Sequence, residues 1–117
     1  MSNTLQILNV ATIDLTTSAA TQTCIVNQDL TNYTYVALQF FWSDLNAADA
    51  TVKFQETIFE QISFVDVPTL TYTLASTPSS CMLVHKEFAC KYVAAYVNKG
   101  TCTTGTLTIK ALVMTRI

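Results

Sequence analysis

The chain has 117 residues, of which 50% are hydrophobic and only 12% are charged, and its formal net charge is −2. This length suits a single domain, residues 1–117, that can bury a core without disulfides or metal ions. The six basic residues are scattered, which argues against direct binding of nucleic acid. So few charges cannot cover a whole monomer densely, and we expect part of the surface to contact other protein.

Branched and aromatic side chains are abundant, and they favour a pleated sheet over a helix. The first candidate strand, Leu5–Leu15, is apolar at every second residue, with a slip around Leu8 and Asn9 that predicts a β-bulge. The segment Thr21–Leu30 is typical of a short, polar strand. The composition and these two segments predict an all-β protein.

The clearest alternation lies in Tyr35–Trp42, where apolar residues occur on both faces of the predicted strand. One face carries Val36, Leu38, Phe40 and Trp42, and the other carries Tyr35, Ala37, Gln39 and Phe41. A period of two residues is what a sheet with one buried face requires. We assign the face that includes Trp42 to the core.

The next segment allows two interpretations. Apolar residues at i, i+4 spacing from Ala50 to Ile62 fit a helix, and Asn46 could cap it. The stretch Thr51–Gln55 also alternates between polar and apolar residues, as a strand does. We favour a strand over Thr51–Thr57.

The rest of the chain adds further strands. Thr69–Leu74 and Thr106–Met114 alternate cleanly, Met82–Phe88 alternates loosely, and Phe88–Val97 is apolar on nearly both faces. The segment Asn98–Gly105 holds both glycines and predicts a hairpin connection before the last strand. The residues expected to face the core are Val36, Leu38, Phe40, Trp42, Leu70, Tyr72, Leu107 and Ile109. About seven or eight short strands predict an antiparallel two-sheet sandwich.

The four cysteines, Cys24, Cys81, Cys90 and Cys102, do not have the spacing of a zinc ribbon or finger. The N-terminal sequence shows no signal peptide, and no stretch is long and apolar enough to span a membrane, so we expect synthesis in the cytosol. Cytosolic thiols stay reduced, which favours free, buried cysteines. The alternative is one disulfide that forms late, after release from the cell.

Candidate catalytic and metal-binding residues do not combine into a site. His85 is the only histidine, and its neighbours on a strand point to the opposite face. Asp44 and Asp49 lack the alternating oxygen ligands of a calcium loop, and nothing forces Glu56 and Glu60 to flank a substrate. We therefore expect no catalytic, cofactor-binding or metal-binding residues and no cofactor.

An aromatic group formed by Trp42, Phe40 and Tyr35 suggests stacking on a sugar as another hypothesis. Trp42 lies within the apolar alternation of its strand, however, which favours a place in the core. A carbohydrate- or receptor-binding module is the alternative function that this observation leaves open.

The order of segments from Tyr35 onwards resembles small β-sandwich, jelly-roll-like proteins of bacteriophage particles, namely head decoration, spike, head-fibre and vertex or penton proteins. The matching segments are Tyr35–Ser43, Ala50–Thr57, Ile62–Val67, Lys91–Val97 and Thr104–Ile109. In such proteins the penultimate strand pairs with a last strand, which a Thr-Gly-Thr-Leu-like turn precedes. The resemblance implies a jelly-roll-like sandwich and a structural role in the virion, with no enzymatic activity.

The partners implied are other copies of the chain, as a homotrimer or homopentamer, other capsid proteins and a host receptor. Self-association has support from the residues as well, because the apolar strand Phe88–Val97 would leave some of its side chains in water. We expect a symmetric neighbour to cover the outer members of Tyr92, Val93, Tyr96 and Val97. Threefold symmetry would suit a spike, and fivefold symmetry a vertex.

Overall fold

The computed structural model describes residues 3–58, 63–86 and 90–116, and all the regular structure in these ranges is β-strand. The strands are β1 (Asn3–Asp14), β2 (Thr21–Ile25), β3 (Tyr33–Ser43), β4 (Thr51–Thr57), β5 (Val65–Thr73), β6 (Ser79–Lys86), β7 (Tyr92–Asn98) and β8 (Thr106–Arg116). These residues contain no helix that could cross a membrane.

The strands form two four-stranded sheets with antiparallel pairing throughout. The order is β1-β8-β3-β6 in the first sheet and β2-β7-β4-β5 in the second. Strands that follow each other in sequence therefore lie mostly in opposite sheets, which is the arrangement of an eight-stranded jelly roll. The predicted antiparallel two-sheet sandwich is confirmed.

The core lies between the sheets, and β3 supplies its centre. Its alternate residues Val36, Leu38, Phe40 and Trp42 are all buried, as predicted, and so are Leu107 and Ile109 of the neighbouring strand β8. The indole N–H of Trp42 donates hydrogen bonds to the carbonyl oxygens of Ala75 (2.9 Å) and Thr77 (3.0 Å). The only polar atom of this large side chain is thereby satisfied at the rim of the core.

Two other expectations for the chain are also confirmed. The pairing of β1 with β8 shifts register between Asn9 and Ala11, next to the slip that the sequence shows. Strand β4 covers Thr51–Thr57, so the helical interpretation of this segment is wrong. Its alternate residues Val52 and Phe54 are fully buried, and this period-two burial stabilises a strand here.

The predicted hairpin between the last two strands is wrong. Strand β7 pairs with β2 and β4, whereas β8 pairs with β1 and β3, so the connection crosses from one sheet to the other. Both glycines adopt positive φ angles in this crossing, 57° at Gly100 and 122° at Gly105. A Cβ atom at Gly105 would lie 2.6 Å from the Leu45 side chain. The glycines therefore serve a tight crossover between sheets instead of a two-strand turn.

Tyr72 was expected in the core but is 42% exposed. It pairs with the buried Val52 and so faces the correct side of the sheet, yet β5 is an edge strand and leaves its ring at the rim. The ring contacts Trp42 with a centroid separation of 6.1 Å. Leu70 is partly buried and packs against the core.

Several strands begin or end at residues other than those predicted. Strand β2 ends at Ile25 instead of Leu30, and β6 begins at Ser79, three residues before the predicted start. Strand β7 begins at Tyr92, and the predicted boundary residue Phe88 lies outside the described residues. Local alternation locates a strand, whereas its ends depend on how far its partners extend.

We predict that Phe40→Ala lowers the free energy of unfolding by about 3–5 kcal/mol, because it leaves a cavity in the core between the two sheets. The matched control is Phe41→Ala on the next residue, whose side chain is 38% exposed on the other face of β3. The control should lower the free energy of unfolding by less than about 1 kcal/mol. Urea denaturation of dilute protein measures both values, and equal losses would mean that the facing of β3 is wrong.

Candidate functional site

The aromatic group considered for sugar stacking is divided by the fold. Phe40 and Trp42 are buried in the core, at 0% and 4% exposure, so neither ring can meet a ligand in water. Tyr35 points to the opposite side of β3 and is half-buried. These three residues do not form one binding platform.

The loop acids make structural ties. The carboxylate of Asp49 accepts hydrogen bonds from the backbone N–H (3.0 Å) and hydroxyl (2.7 Å) of Thr101. These bonds hold the pKa of Asp49 below its ordinary value. The tie therefore contributes to stability above the ordinary carboxyl pKa and is lost as the pH falls through the lowered value. The other acid of this loop, Asp44, accepts a hydrogen bond from the Thr104 hydroxyl through its backbone carbonyl (2.9 Å).

The remaining candidate residues are scattered. His85 lies on β6 opposite Val36, but its side chain, like residue Glu60, falls outside the described part of the structure. Glu56 lies beside the thiol of Cys90 at the end of the core. Within the described residues, no group of three or more histidine, cysteine, aspartate or glutamate side chains could hold a metal ion.

All four cysteines are free thiols, and Cys24, Cys90 and Cys102 are buried, whereas Cys81 is partly exposed. Burial raises the pKa of Cys81 to about 11. Burial, together with the negative charge of Glu56, raises the pKa of Cys90 to about 12. Because the thiolate is the reactive form, Cys81 and Cys90 should react slowly, and the buried thiols of Cys24, Cys90 and Cys102 fill the core as small hydrophobic groups.

The apolar strand β7 is covered better than the sequence suggests. Val93 and Val97 point into the core and are almost completely buried, so that of the four large side chains on this strand only Tyr92 and Tyr96 face outwards. The ammonium group of Lys91 lies 5.7 Å from the ring centre of Tyr92. The corresponding distance from Lys53 to Tyr96 is 5.9 Å. Cation–π contacts within the chain thus cover both rings, which are half-buried.

A larger exposed apolar surface lies on the outward side of the first sheet, and we call it the outer apolar face. Its members alternate with the core residues of β1, β8, β3 and β6, and they are Leu5, Ile7, Leu112, Met114, Tyr35, Ala37, Phe41, Met82 and Val84. Four of them are exposed to a large extent: Leu5 (61%), Ile7 (67%), Phe41 (38%) and Met82 (46%).

The register shows why this surface is continuous. Ile7 pairs with Leu112, Leu112 with Ala37, and Ala37 with Val84, so one apolar row crosses all four strands. The next row holds the polar side chains of Asn9, Lys110 and Gln39 beside Met82. Among the described side chains from the Leu5 row to the Phe41 row, Lys110 is the only charged one.

A partly open groove of about 300 Å³ lies within the outer apolar face, between Ile7, Phe41 and Met82. Gln39 and Lys110 contribute polar groups to its lining. Apolar walls with a few polar groups can bind another molecule without any catalytic chemistry. The groove and the surrounding outer apolar face are the candidate functional site.

Part of this site is visible in the sequence. The alternation in Tyr35–Trp42 already places apolar residues on the second face of β3. The contributions of Ile7, Leu112 and Met82 are not visible, because they depend on β1, β8, β3 and β6 being neighbours, an order that differs from the order along the chain. Sequence reasoning therefore assigned the exposed apolar surface to β7 and missed the larger one.

No protein-family model and no curated protein matches this sequence. Among solved structures, the SPBc2 prophage-derived protein YomS matches with a TM-score of 0.63 at 10% identity, covering 98% of this chain and 96% of that one. The cyanophage Pam1 capsid matches with a TM-score of 0.54 at 13% identity, covering 97% of this chain and 86% of that one.

A third solved structure is that of Bacillus endospore appendages, described as disulfide-linked pili. It matches with a TM-score of 0.54 at 17% identity, covering all of this chain and 92% of that one. Adhesin domains of Lys-gingipain and a low affinity xylan binding module share the fold as well. At such identities the likeness shows the β-sandwich fold alone.

We predict that all four cysteines react with an alkylating reagent in denaturant, as counted by mass spectrometry. In the native protein at pH 8, Cys81 should react on the order of 100-fold, and Cys90 on the order of 1,000-fold, more slowly than an ordinary thiol of pKa about 8.5, because so little thiolate is present. Modification of only two cysteines, or of none, in denaturant would demonstrate disulfides and contradict the prediction.

Proposed function

We propose that this chain is a structural protein of a bacteriophage particle, without enzymatic activity, that acts by packing against copies of itself within the particle. The observation that carries the proposal is the outer apolar face. The largest apolar patch of a monomer is often functional, and exposed apolar surfaces of this kind mark contacts with other protein. A second copy of the chain is the partner whose chemistry matches, because it presents the same apolar row of its own outer apolar face.

The size of the outer apolar face gives the scale of the contact. Four strands about 4.8 Å apart and six residue steps of about 3.3 Å span a projected area on the order of 300 Å². At about 25 cal/mol per Å² of apolar surface, covering this area contributes at most about 7 kcal/mol, because a polar row lies within it. Association itself costs about 4–15 kcal/mol, so this face contributes strongly to assembly but needs additional contacts to hold a stable particle.

The resemblance in sequence order to phage virion proteins and the shared fold with a prophage protein and a phage capsid support a place in the virion. The proposed partners are copies of the chain and other capsid proteins. A homotrimer would serve a decoration protein or spike, and a homopentamer a vertex or penton. The rigid sandwich then bears load, and loops such as Asn98–Gly105 contact the shell or a host receptor.

The loops at one end of the sandwich are suited to this mechanical role because hydrogen bonds tie them to one another. The ammonium group of Lys99 donates hydrogen bonds to the backbone carbonyls of Leu15 (3.2 Å) and Ser18 (2.9 Å). The side-chain carbonyl of Asn46 accepts a hydrogen bond from the backbone N–H of Thr103 (2.9 Å). Three loops at one end of the sandwich are thus held together, which favours a defined contact surface.

A carbohydrate- or receptor-binding module is the second candidate function. It is favoured by the groove, where the exposed ring of Phe41 lies among the polar groups of Gln39 and Lys110. Binding on a glycan array that Phe41→Ala abolishes, by a chain that stays monomeric, would favour this function over the structural one.

We predict that the parent chain self-associates and that Phe41→Lys weakens this association at least ~10-fold in concentration, because it buries a charge in the contact. Phe41 lies on the central strand β3, so this variant tests the outer apolar face. The matched control is Thr23→Lys, at an exposed position of the second sheet, which should associate like the parent chain. Analytical ultracentrifugation measures all three, and a parent chain that is strictly monomeric at high concentration would overturn the proposal.

A further inference from the structure

The first sheet ends in two strands that are each paired on one side only. Among the described residues, β1 pairs with β8 and β6 pairs with β3, and their outer backbone edges have no strand beside them. An exposed edge presents a row of N–H and C=O groups that can pair with another chain. The question is therefore whether these edges carry the features that normally prevent such pairing.

The edges of the second sheet do carry protective features. Strand β2 has only five residues, which is too short to extend far as a template. Strand β5 contains Pro68, the charged Asp66 and a jump in register opposite Phe54, where Thr69 has a positive φ of 69°. Short length, proline, charge and bulges are the ordinary means by which proteins prevent edge pairing.

The edges of the first sheet lack most of these features. Strand β1 has 12 residues, with Asp14 at its end as the only charged one, and the part from Asn3 to Asn9 pairs with β8 without a break. Strand β6 has eight residues, no proline, and Lys86 at its end as the only lysine, arginine or acid. Long, flat and nearly uncharged edges favour the addition of a further strand.

The exposed apolar side chains lie at the same two edges. Leu5 and Ile7 project from β1 and Met82 from β6, and all three belong to the outer apolar face. A side chain on an edge strand lacks a cross-strand neighbour on one side. Strand addition would supply that neighbour, since directly opposed side chains on one face pack against each other.

The directions of the two strands are compatible. Antiparallel pairing of β1 with β8, β8 with β3, and β3 with β6 makes β6 run opposite to β1. A copy placed beside another in the plane of the sheet therefore brings β6 of one against β1 of the next as an antiparallel pair. The row that joins Ile7 to Val84 within one copy then continues from Val84 of one copy to Ile7 of the next.

We infer that copies of this chain join by strand addition, with β6 of one copy pairing antiparallel to the Asn3–Asn9 part of β1 of the next copy. The inference rests on the proposed self-assembly and names its backbone contact. The charges are compatible, because Asp14 and Lys86 lie at opposite ends of the paired region and no like charges face each other. The added ladder supplies the contact that the outer apolar face alone lacks.

A head-to-tail contact of this kind joins two different surfaces. Repetition gives a closed ring if the rotation between copies returns to the first copy, and a filament if it does not. Trimeric and pentameric rings are both allowed outcomes. The outer apolar face remains continuous across neighbouring copies and becomes a shared surface of the assembly.

The test uses the complementary variants Ile7→Lys and Met82→Glu, both at exposed positions. In the proposed pairing these side chains approach diagonally across the contact, within reach of a lysine. Each variant alone should weaken association at least ~10-fold, because it places an unpaired charge in the contact. In an equimolar mixture, every contact between unlike variants is either native or charge-paired. A filament or an even-membered ring should therefore recover association to within about threefold of the parent chain. A trimer or pentamer keeps at least one contact between like variants and should recover in part.

The controls are Thr23→Lys and Thr71→Glu on the second sheet, separately and mixed, which should leave association unchanged. If either first-sheet variant loses its circular dichroism spectrum, the swapped pair Ile7→Glu and Met82→Lys provides the same test. Native mass spectrometry measures the species in each sample.

Each other outcome contradicts the inference in a distinguishable way. Loss of association in both variants without any rescue on mixing would indicate that the copies stack through their outer apolar faces without strand addition. Loss in only one variant would indicate a twofold contact of one edge with itself. No loss in either variant would overturn strand addition while self-assembly stands, whereas a monomeric parent chain would overturn the proposed function itself.

Discussion

The pairing of β3 with β8 in the middle of the first sheet is the constraint on which the other features depend. Side chains alternate along a strand, so the register that buries Val36 and Phe40 also commits Ala37, Phe41 and Leu112 to the opposite side. Both strands carry apolar residues on that side too, next to the polar pair of Gln39 and Lys110. A single sandwich can bury only one face of a sheet, and the second apolar face is left for another molecule.

The two sheets differ in how their outward sides and edges are finished. The second sheet covers Tyr92 and Tyr96 with lysines of the same chain, and its edges are the short strand β2 and the strand β5, whose pairing shifts register. The first sheet has an apolar row across all four strands and long edges with almost no charge. The outward side of the first sheet is therefore the side better suited to assembly, although Ile58 and Val65 are also exposed at one end of the second sheet.

The sequence predicts the strands because burial of alternate residues is a local property. Period-two alternation predicts strands β3 and β4 and the bulge near Asn9. The connection through Gly100 and Gly105 was wrongly predicted to be a hairpin, because glycines indicate a bend in the chain but not the sheet that the next strand joins. Tyr72 alternates correctly but lies on an edge strand. The outer apolar face depends on strand order, which local patterns do not contain.

Hydroxyl radical footprinting of the assembled and the dissociated protein tests the central claim most directly, because it reports side-chain exposure on both sheets at once. The account predicts that Met82 and Phe41 lose reactivity several-fold on assembly, as residues of a buried interface do, while Tyr92 and Tyr96 react equally in both states. Protection of Tyr92 and Tyr96 with unchanged reactivity of Met82 would place the contact on the second sheet and contradict the account.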